Sequence, residues 1–124
     1  MEKKDVRMLV CDDSILARKS LCGYLNDLGY ENIVEVANGQ DAVEFCKKEN
    51  PDVIFLDIVM PVKDGVTATR EIIDNNPNAK IIIISSVGTQ THLKEAIKAG
   101  AKDFVQKPID EDLLTQVVSN VAPA

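Results

Sequence analysis

Five short apolar runs, each followed by a segment with the apolar spacing of a helix, restrict this chain to very few folds. The runs cover residues 7–11, 33–37, 53–57, 80–85 and 103–106. Strands that are apolar along nearly their whole length are typical of a parallel sheet buried on both faces. Helices that connect successive strands by right-handed crossovers would cover those faces. The sequence therefore predicts an α/β domain with a doubly wound, five-stranded parallel sheet.

The predicted helices cover residues 14–28 and 40–48, a third segment that stops before Pro77, and residues 91–99 and 111–121. Each shows apolar residues three or four positions apart, the spacing of one helix face. In the fourth helix, Leu93, Ala96 and Ile97 are predicted to face the core.

Length and charge limit the function classes. The 124 residues suffice for one compact domain, predicted to span residues 1–124. The net charge of −6 argues against binding to nucleic acid or to an acidic membrane surface. The chain has no apolar stretch of membrane-spanning length and no signal-peptide pattern, so we expect a cytoplasmic protein. Cys11, Cys22 and Cys46 lack metal-ligand spacing and are interpreted as core residues.

Acidic residues follow two of the predicted strands. Asp12 and Asp13 end the first run, and Asp57 ends the third. Ligands of doubly wound domains bind beyond the carboxyl ends of the strands, where these side chains would converge. Three carboxylates in one place repel each other unless a cation lies between them. Oxygen ligands suit a hard divalent ion, most simply Mg²⁺, and such a site can handle phosphate.

Each of these residues also has a plainer interpretation. Asp12 and Asp13 could cap a helix, and Asp57 could be a surface acid at the end of a strand. Ser85 could belong to a turn, and Lys107 could be an exposed charge before a proline. Together, however, they follow strands one, three, four and five at the same predicted edge, which favours a shared site.

Four segments carry a resemblance to a known family: LVCDDS, FLDIVMPVKDG, IIIISS and AGAKDFVQKP. They resemble the receiver domain of two-component signalling, and in particular the single-domain chemotaxis response regulators. The similarity extends from about residue 7 to residue 121 without a further domain. It implies a flavodoxin-like fold with strand order 2-1-3-4-5 and five helices.

The resemblance implies a role for each residue at the predicted edge. Asp57 would accept a phosphoryl group from a histidine kinase. Asp13, Asp57 and the backbone carbonyl of Val59 would bind Mg²⁺, and Asp12 would contribute through the water shell of the metal. Lys107 would pair first with the Asp57 carboxylate and then with the phosphoryl group.

The resemblance also implies a conformational switch. Ser85 would hydrogen-bond the phosphoryl group, and Phe104 would then turn inward. The surface of the fourth helix, fifth strand and fifth helix would bind the partner, and the Lys107–Pro108 bond would be cis.

This sequence departs from the common family pattern at several positions. Ser85 stands where threonine is frequent, and Phe104 stands where the best-known chemotaxis regulators have tyrosine. Val59 and Val87 occupy positions that in the family flank the route of the hydrolytic water. Because apolar side chains cannot hold that water, we expect slow self-dephosphorylation, so that a phosphatase would be needed to end the signal.

The favoured function is a monomeric chemotaxis regulator that binds a flagellar motor switch protein. A phosphorelay intermediate remains an alternative, as does a receiver from a longer regulator such as a transcription factor. A metal-dependent phosphatase that uses Asp57 as nucleophile is disfavoured, because such enzymes often carry an acid where Val59 stands. A nucleotide-binding module is disfavoured because no glycine-rich phosphate loop follows the first strand.

Overall fold

The computed structural model describes residues 2–86 and 90–123. Within them, five strands and five α-helices alternate, preceded by a 3₁₀-helix at Lys3–Asp5 that the sequence did not predict. The strands are β1 (Arg7–Cys11), β2 (Asn32–Val36), β3 (Val53–Leu56), β4 (Ile81–Ser85) and β5 (Asp103–Gln106). The helices are α1 (Ile15–Asp27), α2 (Gly39–Lys48), α3 (Gly65–Asn75), α4 (Gln90–Ala99) and α5 (Glu111–Val121).

All neighbouring strands pair in parallel, in the order β2-β1-β3-β4-β5. The predicted fold class, strand order and number of helices are thus confirmed. The chain moves from β1 outward to β2 and then returns to place β3 on the other side of β1. The crevice where the order reverses therefore lies beyond the carboxyl ends of β1 and β3.

The sheet separates two apolar cores, since alternate residues of a strand point to opposite faces. In β4, Ile81 and Ile83 pack with α2, α3 and α4, whereas Ile82 and Ile84 pack with α1 and α5. Burial of β4 on both faces explains why its sequence is an uninterrupted apolar run.

Helix starts are fixed by side chains that accept backbone N–H bonds, as expected of N-caps. Ser14, Asn38, Asp64 and Asp110 play this part for α1, α2, α3 and α5. Among the described residues, no helix is both long and apolar enough to cross a membrane.

Two details test the predicted core. All three cysteines are buried free thiols, which confirms their interpretation as core residues. In α4, Ala96 is fully buried and Leu93 partly buried, but Ile97 is 45% exposed. The prediction that Ile97 faces the core was wrong, because the buried stripe of α4 is narrow and centres on Ala96.

Candidate functional site

Backbone hydrogen bonds continue past the strand ends and hold the site residues in register. The N–H of Asp12 donates to the carbonyl of Val36 at 3.2 Å, and the N–H of Asp57 donates to the carbonyl of Cys11 at 3.1 Å. The N–H of Lys107 donates to the carbonyl of Ser85 at 2.9 Å. The sheet therefore fixes where each of these residues leaves its strand.

Three carboxylates meet at this edge. Oxygen atoms of Asp12, Asp13 and Asp57 all lie within 4.8 Å of one another. Asp12 is 6% exposed and Asp57 is 7% exposed, whereas Asp13 lies open to solvent. Buried carboxylates at this spacing require a positive charge beside them.

Lys107 supplies one such charge. Its Nζ donates to Asp12 Oδ2 at 2.6 Å and to Asp57 Oδ2 at 3.1 Å. Burial alone would lower the pKa of Lys107, but its hydrogen bonds to Asp12 and Asp57 outweigh burial and raise the pKa above its ordinary value of 10.5. The lysine therefore stays an ammonium ion that bridges two acids from different strands.

The donor set suits a divalent metal ion. Asp12, Asp13 and Asp57 offer only carboxylate oxygens, the ligand type that Mg²⁺ prefers, and one of the three faces solvent for entry. A divalent ion among them would balance the charge that one ammonium leaves uncompensated. These residues thus fit a Mg²⁺ site.

The loop between β3 and α3 packs against the backbone of Asp57. The N–H of Gly65 donates to the carbonyl of Ile58 at 2.8 Å. A Cβ atom at Gly65 would lie 2.1 Å from the carbonyl oxygen of Asp57, closer than atoms can approach. Glycine at this position therefore allows α3 to start directly behind Asp57, with Asp64 as its N-cap.

Val59 lies on the same loop, with its side chain exposed and its N–H donating to Asp57 Oδ1 at 3.4 Å. The loop residue whose backbone N–H donates to this carboxylate oxygen therefore carries an apolar side chain. Val87, the second apolar residue predicted there, lies outside the described residues.

Ser85 and Phe104 occupy neighbouring strands. Ser85 is fully buried at the end of β4 and pairs with Gln106. Phe104 in β5 is partly buried against the core on the α2–α4 side. The predicted cis bond between Lys107 and Pro108 is confirmed.

Sequence reasoning missed one residue that contacts the site. Arg18, in α1, donates from Nη1 to the backbone carbonyl of Asp12 at 2.7 Å. From sequence, a charged residue near the start of a helix is expected to face solvent. The turn between β1 and α1 instead brings the Asp12 carbonyl within reach of the Arg18 side chain.

Residues 8–119 match the family model of the response regulator receiver domain, and the chain belongs to this family. Receiver domains are signalling phosphoacceptors of two-component systems that bind Mg²⁺ at their acidic site. Among the relatives, the chemotaxis protein CheY of Thermotoga maritima is 41% identical over 94% of this chain and 97% of that protein. The chain is thus a CheY-like receiver domain.

Solved structures agree with this assignment. CheY in a CheX–CheY–BeF₃–Mg²⁺ complex from Borrelia burgdorferi has a TM-score of 0.85 and 34% identity, covering 94% of this chain and 90% of that one. The receiver domain of the sensor histidine kinase PA1611 from Pseudomonas aeruginosa, solved with magnesium in its active-site cleft, has a TM-score of 0.84. It is 28% identical and is matched over 93% of this chain and 95% of that chain.

Proposed function

We propose that this chain is a phosphorylation-switched response regulator that accepts a phosphoryl group from a histidine kinase on Asp57. The observation that carries the proposal is the bridge of Lys107 between Asp12 and Asp57, at the edge of a cluster of three carboxylates. Asp12 and Asp57 are both buried and both contact the lysine. Of the two, Asp57 is the acid whose backbone packs against the following loop so closely that residue 65 must be glycine.

In the proposed reaction, a carboxylate oxygen of Asp57 attacks the phosphorus of a phosphohistidine on the kinase. A P–O bond to Asp57 forms while the P–N bond breaks, and the imidazole leaves with the electron pair. Lys107 reduces the repulsion between the carboxylate and the phosphoryl oxygens, and it remains near enough to pair with the acyl phosphate. Asp13, Asp57 and the carbonyl of Val59 would hold Mg²⁺, with Asp12 acting through the water shell of the metal. When bound, Mg²⁺ supplies positive charge that offsets the charge on both reactants.

The experiment that tests this proposal is labelling by a small phosphodonor. Wild type incubated with acetyl phosphate and Mg²⁺ should gain one phosphoryl group by intact mass spectrometry, and Asp57→Asn should gain none. Asp74→Asn, which removes an exposed acid from α3, is the matched control and should be labelled like wild type. Labelling of Asp57→Asn at another residue would place the acceptor elsewhere.

Self-dephosphorylation is proposed to be slow, and a phosphatase would then end the signal. Val59 supports this, because its exposed side chain, two residues after Asp57, is apolar and offers no hydrogen bond to an attacking water. Loss of label from phosphorylated wild type should therefore be slower than from Val59→Asn. Equal decay of the two proteins would refute the water-exclusion argument.

The proposed switch runs from Ser85 to Phe104. The new phosphoryl group adds negative charge and strong hydrogen-bond acceptors at Asp57, toward which the Ser85 hydroxyl would move. Phe104 would then turn inward and change the surface formed by α4, β5 and α5. That surface already presents apolar side chains to solvent, since Ile97 of α4 and Leu113 of α5 are both substantially exposed.

The proposed partner of this surface is a flagellar motor switch protein, with a chemotaxis-type histidine kinase as the phosphodonor. The support is the similarity to chemotaxis proteins of the CheY type. An N-terminal peptide of the motor protein should bind more tightly in Mg²⁺ with beryllium fluoride than in Mg²⁺ alone. The protein is proposed to act in the cytoplasm as a monomeric receiver of residues 1–124.

A phosphorelay intermediate, or a receiver that works within a longer regulator, is the second candidate. It is favoured by the likeness to the receiver domain of a sensor histidine kinase. Failure of the motor peptide to bind in either state, with Asp57 still phosphorylated, would support this candidate. Rapid return of the phosphoryl group to a histidine phosphotransfer domain would support it further.

A further inference from the structure

The side chain of Arg18 links α1 to β2 and to the turn that carries Asp12 and Asp13. It is only 14% exposed although it is charged. Its Nη1 donates to the backbone carbonyl of Asp12 at 2.7 Å, and its Nε donates to Glu35 Oε1 at 3.2 Å. A guanidinium with little solvent contact depends on such acceptors, so these two bonds fix its position.

Glu35 is a firm anchor for the guanidinium. Lys19 Nζ donates to Glu35 Oε2 at 2.8 Å, which leaves Oε1 for Arg18. The hydrogen bond from Lys19 lowers the pKa of Glu35, and the bond from Arg18 lowers it further against the opposing effect of burial. Glu35 is therefore a carboxylate at neutral pH, and it holds Arg18 from the β2 side.

The bond to the Asp12 carbonyl bears on the orientation of Asp13. That carbonyl and the nitrogen of Asp13 belong to one planar peptide unit, so fixing the carbonyl fixes the direction in which Asp13 leaves the turn. The Asp12 carboxylate has its own partners, the N–H of Ser14 at 2.9 Å and Lys107. The Asp13 carboxylate accepts no hydrogen bond from residues 2–86 and 90–123, so the turn backbone, which sets the direction of its Cα–Cβ bond, is the contact through which the protein can position it.

We propose that Arg18 is a positioning residue that holds the Asp13 carboxylate in place for the divalent metal ion. The inference rests on the proposed function, because it deepens the assignment of Asp13 as a metal ligand. Groups that orient metal ligands without touching the metal typically contribute tenfold to a hundredfold to metal affinity.

The sign of the effect separates positioning from simple electrostatics. Removing a positive charge near an acidic site should, by charge alone, strengthen the binding of a cation. Loss of positioning should weaken it. Arg18→Met removes the charge and both hydrogen bonds while keeping an apolar stem, and Lys19→Met removes the same charge from the same Glu35 without touching Asp12.

The experiment is a calorimetric titration of each folded protein with MgCl₂ at pH 7, with urea unfolding in the absence of Mg²⁺ as a separate measure of stability. We expect the Mg²⁺ Kd of Arg18→Met to rise roughly tenfold or more. Lys19→Met should keep the wild-type Kd or lower it slightly. Arg18→Lys, which keeps one donor group, should lie between wild type and Arg18→Met, and it decides the question if Arg18→Met does not fold.

A kinetic readout completes the test. For Arg18→Met, the Mg²⁺ concentration that gives half-maximal labelling by acetyl phosphate should rise with the Kd. The rate at saturating Mg²⁺ should stay close to that of wild type, because Asp57 and Lys107 are untouched. An unchanged or lower Kd in a folded Arg18 variant, beside a wild type that binds Mg²⁺, would overturn this inference alone. The same weakening in Lys19→Met would also overturn it. A wild type that neither binds Mg²⁺ nor becomes labelled would overturn the proposed function itself.

Discussion

Replacing Lys107 with methionine is expected to destabilise the protein by about 3 kcal/mol at pH 7 in the absence of Mg²⁺. The substitution leaves the Asp12 and Asp57 carboxylates, each less than 10% exposed, without the ammonium that bridges them. At the 4.8 Å limit of their separation, two unit charges repel by about 3.5 kcal/mol at an effective dielectric constant of about 20. Removal of one partner from a buried ion pair typically costs about 3–5 kcal/mol, which agrees.

Mg²⁺ should reverse most of this loss. A ligand that binds only the folded state stabilises it by an amount that grows with its affinity. The variant has a more negative site, so Mg²⁺ should stabilise it more than it stabilises wild type. The assay is urea unfolding followed by circular dichroism, with and without saturating Mg²⁺. Lys102→Met, which removes an exposed lysine, is the control and should change stability by no more than about 0.5 kcal/mol.

The same pair of proteins has a predicted pH dependence. The folded-state pKa of Lys107 lies above its ordinary value of 10.5, so its contribution is complete below that pH. The contribution decreases as the pH rises through the raised folded value, and the difference between wild type and variant should shrink there. A loss below about 1 kcal/mol at pH 7, or a loss of equal size with and without Mg²⁺, would refute the account of Lys107 as the counter-charge of the site.

Three further predictions follow from individual residues. Gly65→Ala should destabilise by roughly 1–3 kcal/mol and reduce labelling by acetyl phosphate, because its Cβ meets the Asp57 carbonyl; Gly23→Ala, with open space around it, should cost nothing, and equal urea midpoints would contradict the contact. Val62→Asn should raise the free energy of unfolding by about 1 kcal/mol, because Val62 has φ 69° and is 81% exposed; an equal or lower urea midpoint would show that no strain was relieved. Burial raises the pKa of the Cys11 thiol from 9.0 to about 12, so its contribution to stability is complete below pH 9 and is lost as the pH rises through 12. Mass spectrometry should find Cys11 unalkylated by iodoacetamide at pH 8 until urea is added, and rapid alkylation of the native protein would argue against its burial.

The fold was predictable because apolar residues recur with a different period in strands and in helices, and segments of the two kinds alternate regularly along this chain. Burial on both faces makes a parallel strand apolar throughout, and this marks β4 in the sequence without ambiguity. The exposure of Ile97 was not predictable in the same way. Apolar spacing shows that α4 has a buried stripe. It does not show how many residues of that stripe the neighbouring elements cover.

The site was predictable to the extent that strand ends define it. Asp12, Asp57 and Lys107 each follow a strand, and parallel topology brings those ends together. Individual roles, such as that of Ser85, came from the family resemblance and stay predictions. The contact of Arg18 was not predicted because its acceptor at the site is a backbone carbonyl. Every residue has such a carbonyl, so the sequence does not indicate which one a side chain will bind.

The bridge between Lys107 and Asp12 joins residues 95 positions apart. The site is therefore complete only after both ends of the chain have folded onto the sheet. Lys107 follows β5, the last strand of the sheet to be synthesised. The two acids that it bridges, Asp12 and Asp57, belong to the first half of the chain. A nascent chain that ends before β5 holds Asp12 and Asp57 without their ammonium, and bringing residues so distant in sequence together carries a large loop-closure entropy. If Asp57 accepts the phosphoryl group as proposed, this ability is acquired only when the whole sheet is complete, and an unfinished or partly unfolded copy would carry no signal.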